Sequence, residues 1–579
     1  MSVAPPRAAR PVRRRAAPDA STGAALAGVD PVLAALYAAR GITDAAQLDY
    51  SLQQLAPVGT LSGLREAVEL LLAHRQRRIV VIGDFDADGA TSTALVLRCL
   101  RGFAFADVDY RVPNRFDYGY GLTPEIVRVA HASGPSLLLT VDNGISSIEG
   151  VAEAHRLGMA VLITDHHLPG RQVPDADAIV NPHVRASTGA AAAASFASPH
   201  LAGVGVAFYL MAALGRALQE RGREDAAKVP ARYLDLVALG TVADVVSLDH
   251  NNRILVAQGL ARIRSGRSVP GIGALLRCAG RDPARAGSAD LGFAAAPRLN
   301  AAGRLDDMAA GIECLLTDDP AEAARMAAEL DGINSARREI EEGMRREAFA
   351  FVDAMSARAL PDCVCVFEPS WHQGIVGLVA ARVRERCHRP AIAFAREQPG
   401  VLKGSARSVP GVHIRDLLEA VSTAVPGLVA KFGGHAMAAG LSLAEERLEA
   451  FSRAVCEQLP RLYPKADFSG AIVTDGPLPA ASLNLPFARA LRAAGPWGAG
   501  FPEPLWSGDF ELVEQRTVGE SHLKLRVRPA DGGPTLDAIA FHRAGTAWRG
   551  KLRLVFRLDV NEWRGTETPQ LVVEQITAL

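Results

Sequence analysis

Short runs of apolar residues alternate with helical patterns along the first half of the chain. Residues 79–82, 136–141 and 159–164 are such runs, and their length is typical of strands buried on both faces of a parallel sheet. The run at 79–82 is followed by a helical pattern at residues 90–100. Strands that alternate with helices predict an α/β domain.

The same alternation returns later in the chain, after a helical segment that contains no proline. We therefore predict an α/β fold with two α/β lobes, the first containing a parallel sheet, joined by a long helix. Beyond residue 466 the pattern changes to five short alternating segments separated by turn signals, which favours a C-terminal barrel of the oligonucleotide-binding (OB) type. The predicted boundaries are 1–24 for a basic arm, 25–260 and 351–465 for the lobes, 261–350 for the helical connector and 466–579 for the barrel.

Composition narrows the class of protein. With 579 residues the chain is too long for one core, and 63 basic residues against 63 acidic ones give no overall attraction for nucleic acid, so any such binding needs local basic patches. The seven cysteines form no C-x-x-C pair, which favours reduced thiols in the cytoplasm. The longest apolar run, residues 201–215, is shorter than the ~20 residues of a membrane helix and predicts a buried helix.

The first two dozen residues are rich in Arg, Pro and Ala and lack the apolar core of a secretory signal. We predict a disordered basic arm. An organellar transit peptide has a similar composition and remains an alternative.

Three acids end the first predicted strand, in the sequence IVVIGDFDADGATS. Asp84, Asp86 and Asp88 fall in a strand-to-helix loop, where ligands bind in open α/β sheets. Carboxylates about 4 Å apart repel one another by roughly 4 kcal/mol per pair at an effective dielectric of 20, and bound cations would reverse that cost. An EF-hand is excluded because its twelfth position is Leu95, and a P-loop because Ala90 follows the glycine. A solvated acidic turn remains the alternative.

The next two predicted strands also end in residues that can bind metals. Asp142 follows the second strand, and Asp165, His166 and His167 follow the third. Asp244 interrupts the apolar segment 231–248, where a buried acid needs a partner; a helix N-cap is the alternative.

The formal charges of these acids match a pair of metal ions. Four carboxylates, those of Asp86, Asp88, Asp142 and Asp244, balance two divalent cations. Oxygen ligands with an imidazole suit Mn²⁺ or Mg²⁺ rather than a thiolate-bound zinc. Two such ions stabilise the attacking and leaving oxygens of phosphoryl displacement, so phosphoester hydrolysis is the predicted reaction class.

Aromatic residues interleaved with arginines follow in the segment 107–123. Arg115 and Tyr118 suit phosphate contact and base stacking. Tyrosines packed in the core of a tight turn are the alternative.

The motifs, taken in order, resemble a known superfamily. GDFDADGATS, VPNRFDYGYGLT, VDNGI, DHH, GTVADVV, PRLNAAGRL, WHQGIVGLVAAR, KGSARS and FGGHAMAAG are similar to the DHH phosphoesterase superfamily and, within it, to the single-strand-specific exonucleases. The resemblance covers essentially everything beyond the N-terminal arm. It implies a DHH catalytic domain at 25–260, a DHH-associated substrate-binding domain at 351–465 and a nucleic-acid-binding barrel at 466–579.

The resemblance also implies roles for individual residues. The implied metal ligands are Asp86, Asp88, Asp142, His166 and Asp244, with Asp142 bridging two ions. Asp84 would be a further ligand or a neighbouring acid. Asp165 would orient His166, and His167 would face the scissile phosphate.

A second implied group contacts the substrate. It comprises Arg115, Tyr118, Asn300, Arg304, His372, Ser405, Arg407, Gly433, Gly434 and His435, of which Arg115, Ser405 and Arg407 would bind the 5′-phosphate. A core histidine is the alternative for His435. Where the family commonly has Asn, this chain has Phe501, a departure expected to affect the join between domains and not the metal site.

The implied function is metal-dependent 5′-to-3′ hydrolysis of single-stranded DNA by a cytoplasmic enzyme of repair and recombination. Single-strand-binding protein and a helicase are the expected partners, and a membrane is not. The alternatives are an oligoribonuclease or cyclic-dinucleotide phosphodiesterase of the same superfamily, and an inactive replication scaffold. In the barrel, Lys524, Arg526, Arg528 and Trp563 are expected to form a basic aromatic face, with a packing module as the alternative.

Overall fold

The structure is a computed structural model that describes residues 9–16, 26, 28–113, 121–184, 196–356 and 360–579. The chain divides into two compact units. The first unit comprises residues 14–333 and 473–579, and the second comprises residues 10–13 and 334–472.

The N-terminal arm contains a strand. β1 (Val12–Arg14) pairs with the strand Ile472–Thr474. The amide of Ile472 donates to the carbonyl of Pro11, and the amide of Arg15 donates to the carbonyl of Thr474. The prediction of disorder is therefore wrong for residues 12–14, because strand pairing satisfies their backbone. Residues 1–8 and 17–25 lie outside the described part of the chain.

The first lobe contains the predicted parallel sheet, with strand order β3-β2-β4-β5-β6 and all neighbours parallel. Val80 and Ile82 of β2 pack on one face of the sheet, and Ile79 and Val81 pack on the other, which explains the unbroken apolar run. The elements are α1 (Pro31–Ala38), α2 (Leu64–Ala73), β2 (Arg78–Ile82), α3 (Ala87–Gly102), β3 (Asp107–Arg111), α4 (Pro124–His131), β4 (Leu137–Val141), α5 (Ile148–Arg156), β5 (Ala160–Thr164) and β6 (Ala178–Val180).

Helices complete this part of the first unit. The apolar run at 201–215 is a largely buried helix, as predicted, although the helix extends to Glu220. The elements are α6 (Gly203–Glu220), α7 (Leu234–Ala243), α8 (His250–Arg264), α9 (Pro270–Cys278), α10 (Ala296–Leu305) and α11 (Ala309–Leu316). A π-helical turn, Leu291–Ala295, leads directly into α10.

The predicted long helix is α12 (Pro320–Ser356), which has 37 residues. Its N-terminal part belongs to the first unit, where the Arg298 guanidinium pairs with Asp331 at 2.7 Å. Its C-terminal part belongs to the second unit, where Glu341 pairs with Arg382 at 3.0 Å and the Trp371 indole donates to Glu347 at 2.7 Å.

The second unit contains a mixed five-stranded sheet of order β10-β11-β9-β8-β7, in which β7 and β8 are parallel and the other neighbours antiparallel. Helices α14 and α15 share its apolar core. The elements are β7 (Val364–Phe367), α13 (Val376–Cys387), β8 (Ala391–Gln398), β9 (Val401–Arg407), α14 (Ile414–Ala424), β10 (Lys431–Gly434), β11 (Ala438–Ala444), α15 (Leu448–Leu462) and β12 (Ile472–Thr474).

The C-terminal strands form a closed five-stranded barrel of order β13-β14-β15-β17-β16, which confirms the predicted architecture. Antiparallel pairing of β13 with β16 closes it. A helix, α16 (Leu485–Ala493), precedes the barrel, and its strands are β13 (Trp506–Val518), β14 (His522–Pro529), β15 (Leu536–Ala540), β16 (Lys551–Trp563) and β17 (Thr566–Ala578).

The seven cysteines are free thiols. Within the described ranges, no helix combines the length and the apolar character that crossing a membrane requires.

Candidate metal centre

The three acids after β2 occupy the junction with α3. Asp86 is the N-cap of α3, and its Oδ1 accepts from the amide of Gly89 at 3.0 Å. The sequence pattern predicts that Asp88 lies in the strand-to-helix loop. The helix begins at Ala87, however, so Asp88 lies in its first turn. Asp84 and Asp88 are only 4% and 1% exposed, which excludes a solvated acidic turn.

Asp88 is fixed by a second helix. Its Oδ2 accepts from the amide of Gly203 at 2.7 Å, and its Oδ1 accepts from the amide of Val204 at 3.0 Å. These amides open α6, whose N-terminus favours negative charge. A carboxylate has about four lone-pair positions, so these two bonds leave Asp88 able to bind a cation.

Residues from three further segments meet these acids. Asp142 follows β4 with a φ of 60°, a left-handed conformation that Asp tolerates better than most residues. His166 follows β5, and its Nε2 lies 3.2 Å from Oδ1 of Asp142 and 3.5 Å from Oδ2 of Asp244. Asp244 is the C-cap of α7, so an N-cap role is wrong for it.

The ligand atoms of these residues form overlapping groups within coordination reach. Three groups have their atoms within 4.8 Å of one another: Asp84, Asp86 and Asp142; Asp88, His166 and Asp244; and Asp142, His166 and His167. Asp142 and His166 each belong to two of the groups. Overlapping groups of this kind are expected where two neighbouring cations share ligands. Carboxylate oxygens with one or two imidazole nitrogens suit Mn²⁺ or Mg²⁺.

Two glycines allow the neighbouring helices to approach the acids of this cluster closely. A Cβ on Gly203 would lie 2.5 Å from Oδ1 of Asp142, and a Cβ on Gly240 would lie 2.7 Å from Oδ1 of Asp88. Both helices can therefore approach the acids closely only because these positions have no side chain. Sequence reasoning missed both residues, and the signal available was a glycine inside an apolar helical run.

The crowding of acids raises their pKa values. Burial, followed by the charge of Asp86, raises the pKa of Asp88 to about 7. Burial and the neighbouring carboxylates also raise the pKa values of Asp142 and Asp244 well above the usual range. Positive charge among these groups would stabilise their ionised forms, so the site fits divalent cations.

Asp165 contacts a different histidine ring from the one predicted. Its Oδ1 lies 2.7 Å from Nδ1 of His167 and accepts from the backbone amide of His166, while its Oδ2 accepts from the amide of Ile145. The prediction that Asp165 orients the His166 ring is therefore corrected to the ring of His167. The two rings contact each other, with centroids 4.5 Å apart, but Nε2 of His166 lies next to Asp142 and Asp244.

This pair has coupled charges. Burial lowers the pKa of His167, but the hydrogen bond and charge of Asp165 outweigh it and raise the pKa to about 9. Burial raises the pKa of Asp165, but the hydrogen bond and charge of His167 outweigh it and lower the pKa.

Amide side chains that the sequence prediction omitted support the strand ends. Nδ2 of Asn143 donates to the carbonyls of Ile82 and Val141, and Nδ2 of Asn181 donates to the carbonyl of His167. Asn181 directly follows β6 and Asn143 lies two residues after β4, and this position at a strand end is the signal that could have found them.

Two of the residues predicted to bind substrate lie on α10. Oδ1 of Asn300 accepts from the amide of Ala87 at 2.8 Å, so this side chain holds the start of α3. Gly303 allows the approach, since a Cβ there would lie 1.7 Å from the carbonyl oxygen of Phe85. Arg304 is half-buried in the last turn of the same helix.

The other described substrate candidates belong to the second unit. Ser405 and Arg407 lie on β9, where the Arg407 guanidinium donates to Oγ of Ser405 at 3.1 Å. A Cβ on Gly377, in the first turn of α13, would lie 2.8 Å from Nη2 of Arg407 and 3.0 Å from Oγ of Ser405. Burial and the charge of Arg384 lower the pKa of Arg407, and an anion would offset both.

The remaining candidates of this unit lie in turns and at a strand end. Gly433 and Gly434 end β10, and Gly434 has a φ of 140°, which favours glycine. His435 follows them, and His372 accepts at Nδ1 from the amide of Gly374. His435 is exposed, so a core histidine is wrong for it. Arg115 and Tyr118 lie outside the described residues.

The predicted basic face of the barrel carries both signs of charge. Lys524 pairs with Asp537 at 2.8 Å, and Arg526 lies 3.6 Å from Glu514. Trp563 is 69% exposed, and the Arg564 guanidinium lies 5.7 Å from its ring centre.

Comparisons with known families and proteins agree with this geometry. Residues 78–241 match the DHH family, N-terminal domain, residues 361–460 match the DHHA1 domain, and residues 474–575 match the RecJ OB domain. The single-stranded-DNA-specific exonuclease RecJ of Salmonella typhimurium is 50% identical over 98% of this chain and 99% of its own length. The protein of the same name from Thermus thermophilus is 34% identical over 93% of this chain and 74% of its own length.

Solved structures of RecJ proteins are also similar to this chain. The crystal structure of RecJ in complex with Mn²⁺ from Thermus thermophilus has a TM-score of 0.80 and 31% identity, and covers 98% of this chain and 80% of that one. The complex of RecJ with Mg²⁺ from the same organism has a TM-score of 0.74 at 29% identity.

A parallel sheet that gathers carboxylates and a histidine at its carboxyl edge, followed by a DHHA1 domain, defines a phosphoesterase of the DHH class. Within that class, the chain is 50% identical to RecJ proteins over nearly its full length. The chain belongs to the RecJ family.

Proposed function

We propose that this protein is a hydrolase, a metal-dependent exonuclease that hydrolyses phosphodiester bonds of single-stranded DNA in the 5′-to-3′ direction. The observation that carries the proposal is the convergence of Asp84, Asp86, Asp88, Asp142, His166 and Asp244 at one edge of the sheet. Its relatives are named single-stranded-DNA-specific exonucleases, and solved relatives contain Mn²⁺ or Mg²⁺.

The proposed ligands of two divalent cations are Asp86, Asp88, Asp142, His166 and Asp244, with Asp142 shared and Asp84 beside them. When bound, such cations stabilise charge on the attacking and leaving oxygens of phosphoryl displacement. The protein itself supplies the spacing, because α3, α6 and the ends of β4 and β5 hold the carboxylates in place. Groups fixed in this way need less reorganisation during the reaction.

We assign His167 to the scissile phosphate. Its Nδ1 is bonded to Asp165, so Nε2 is the ring nitrogen that would donate to a phosphoryl oxygen. The Asp165 charge favours the protonated ring, which is the form that stabilises a phosphate.

We assign the 5′-phosphate to Ser405 and Arg407, together with Arg115. The half-buried guanidinium and the hydroxyl offer hydrogen bonds to phosphate oxygens. His372, Gly433, Gly434 and His435 are proposed to contact the same strand of DNA, as are Tyr118 and Arg304. We also propose the domain boundaries predicted from the sequence, with the catalytic domain at 25–260 and the barrel at 466–579.

The cellular setting is proposed from the family alone: a cytoplasmic enzyme of DNA repair and recombination that works with single-strand-binding protein and a helicase. A superfamily hydrolase of short oligoribonucleotides or cyclic dinucleotides is disfavoured, since the barrel matches the RecJ OB domain. An inactive scaffold is disfavoured because each ligand position keeps a side chain that can bind a metal.

The test is degradation of end-labelled single-stranded and double-stranded DNA and RNA with Mn²⁺, Mg²⁺ or chelator. We expect nucleotides to be released from the 5′ end of single-stranded DNA, with metal only. Release from the 3′ end, or equal degradation of duplex DNA, would contradict the proposal.

The shared ligand gives a sharper test. Asp142→Asn should lower kcat by at least about 100-fold, because the neutral amide removes a charge shared by both cations. The control is Asp177→Asn, since Asp177 precedes β6 at the opposite edge of the sheet and pairs with His155. Wild-type turnover by the Asp142 variant would reject the shared role.

The phosphate assignment is tested separately. Arg407→Ala should reduce the preference for 5′-phosphorylated over 5′-hydroxyl DNA by on the order of 10-fold, the value of a charged hydrogen bond. The control is Arg396→Ala, on the neighbouring strand β8, which removes an arginine paired with Glu445 and should leave that preference unchanged. An unchanged ratio for Arg407→Ala would reject the assignment.

A further inference from the structure

The loop that carries Asp244 contains a strained residue. Val245, which directly follows Asp244, has a φ of 61° and is 69% exposed. A β-branched residue with positive φ is a genuine outlier, and such a conformation persists only where the surrounding structure imposes it. The exposed Val245 side chain has little packing of its own. Its amide donates to the carbonyl of Val242 at 3.3 Å, so the end of α7 holds one side of Val245 and the residues that follow hold the other.

Those residues contact the segment that leads into the barrel. The amide of Leu248 donates to the carbonyl of Ala499 at 2.7 Å. A Cβ on Gly500 would lie 2.1 Å from Oγ of Ser247, and a Cβ on Gly498 would lie 2.6 Å from Cδ1 of Leu248. The turn Gly498–Phe501 therefore lies directly against the loop, and only glycines permit that approach.

The turn itself is rigidly held. Gly498 and Phe501 exchange backbone hydrogen bonds of 2.9 and 3.1 Å. The Phe501 ring stacks on Trp497 at 5.1 Å, and the guanidinium of Arg253 lies 4.5 Å from the centre of the Phe501 ring. Arg253 also donates to the carbonyl of Leu248 at 2.9 Å, so the same arginine joins the turn to the loop.

We propose that the turn Gly498–Phe501 is a positioning element for the metal centre: by holding Ser247 and Leu248 it imposes the conformation at Val245 and so places the carboxylate of Asp244. The segment that leads into the barrel would thus act on the cation site. On this proposal the join around Phe501 would affect the metal site, contrary to the expectation from the sequence. The inference rests on the ligand role proposed for Asp244.

The experiment uses the full-length protein and measures Mn²⁺ binding by calorimetry, together with the Mn²⁺ dependence of kcat and the KM for single-stranded DNA. Gly500→Ala should weaken Mn²⁺ binding by about 10-fold or more, the range typical of residues that orient metal ligands, with little change in KM. The matched control is Gly519→Ala. Gly519 is a barrel glycine with a similar φ of 59°, but a Cβ there meets nothing within 4 Å.

A double-mutant cycle shows whether the effect passes through the observed contact. Ser247→Ala removes the hydroxyl that a Cβ at position 500 would meet, so the added cost of Gly500→Ala should fall to about 2-fold in that background. The same 10-fold loss in both backgrounds would overturn the proposal. So would equal Mn²⁺ binding by Gly500→Ala and Gly519→Ala.

Melting temperatures identify variants that fail to fold. If Gly500→Ala is insoluble, Gly498→Ala, which presses on the flexible end of Leu248, takes its place under the same criteria. Asp244→Asn separates the two proposals: normal Mn²⁺ binding by that variant would reject the ligand role itself, whereas weak binding by it with normal binding by the turn variants would reject only the positioning role.

Discussion

Asn300 illustrates how a side chain of the right type can have a role other than the one its motif suggests. The motif predicted a residue along the path of the nucleic acid, but Oδ1 of Asn300 accepts from the amide of Ala87, between Asp86 and Asp88. Side chains that hold the backbone next to metal ligands commonly affect metal affinity by 10–100-fold. Sequence identified the residue but not its partner, because the contact depends on how α10 packs on α3.

Substitution at this position distinguishes positioning from DNA contact. Asn300→Ala should raise the Mn²⁺ concentration for half-maximal activity by about 10-fold, because the amide of Ala87 loses its acceptor. Asn300→Asp keeps an acceptor and should recover most of that loss. If both variants instead raise the KM for DNA at unchanged Mn²⁺ dependence, Asn300 contacts the substrate.

At the level of elements, the ends of the strands in the first lobe could be predicted from the sequence. The start of α3 and the close approach of α6 and α7 could not. Apolar runs mark β2, β4 and β5, and the carboxyl ends of parallel strands meet at one edge, which brings Asp86, Asp142 and His166 together. The start of α3 was misjudged by three residues because Asp88 and Gly89 have low helix propensity. The glycines of α6 and α7 were missed because their role depends on the distance between helices.

The approach of α6 to the acids predicts the effect of a single methyl group. Gly203→Ala would place a Cβ 2.5 Å from Oδ1 of Asp142, so we expect loss of Mn²⁺ binding in calorimetry and of nuclease activity. Gly332→Ala on α12 is the control: a Cβ there meets nothing within 4 Å, and alanine should stabilise the helix by up to ~1 kcal/mol. Normal Mn²⁺ affinity in Gly203→Ala would show that the carboxylate can move away at no cost.

For the whole molecule, the order of the architectures could be predicted from the sequence, whereas contacts between segments distant in the sequence could not. Periodicity distinguished the α/β lobes, the long helix and the barrel, because each architecture has its own spacing of apolar residues. The pairing of β1 with β12, and the contact of residues 247–248 with the turn Gly498–Phe501, involve short segments without a periodic pattern. Such contacts depend on the packed structure.

The buried acids should make the stability of the protein depend on metal. Cations that bind the folded state stabilise it by about 2.7 kcal/mol at a concentration 100 times their dissociation constant. We expect the melting temperature to rise when Mn²⁺ replaces chelator, as measured by calorimetric scanning. Asp142→Asn should show a smaller rise, and an equal rise in the variant would mean that Mn²⁺ stabilises the protein elsewhere.

The strand β1 has a consequence for biogenesis. Arg15 bonds to Asp475 at a separation of 460 residues, and Asp475 also binds the buried guanidinium of Arg40. A ribosome delivers β1 first and its partner strand only some 460 residues later. The nascent first unit must therefore leave β1 unpaired until β12 has been synthesised.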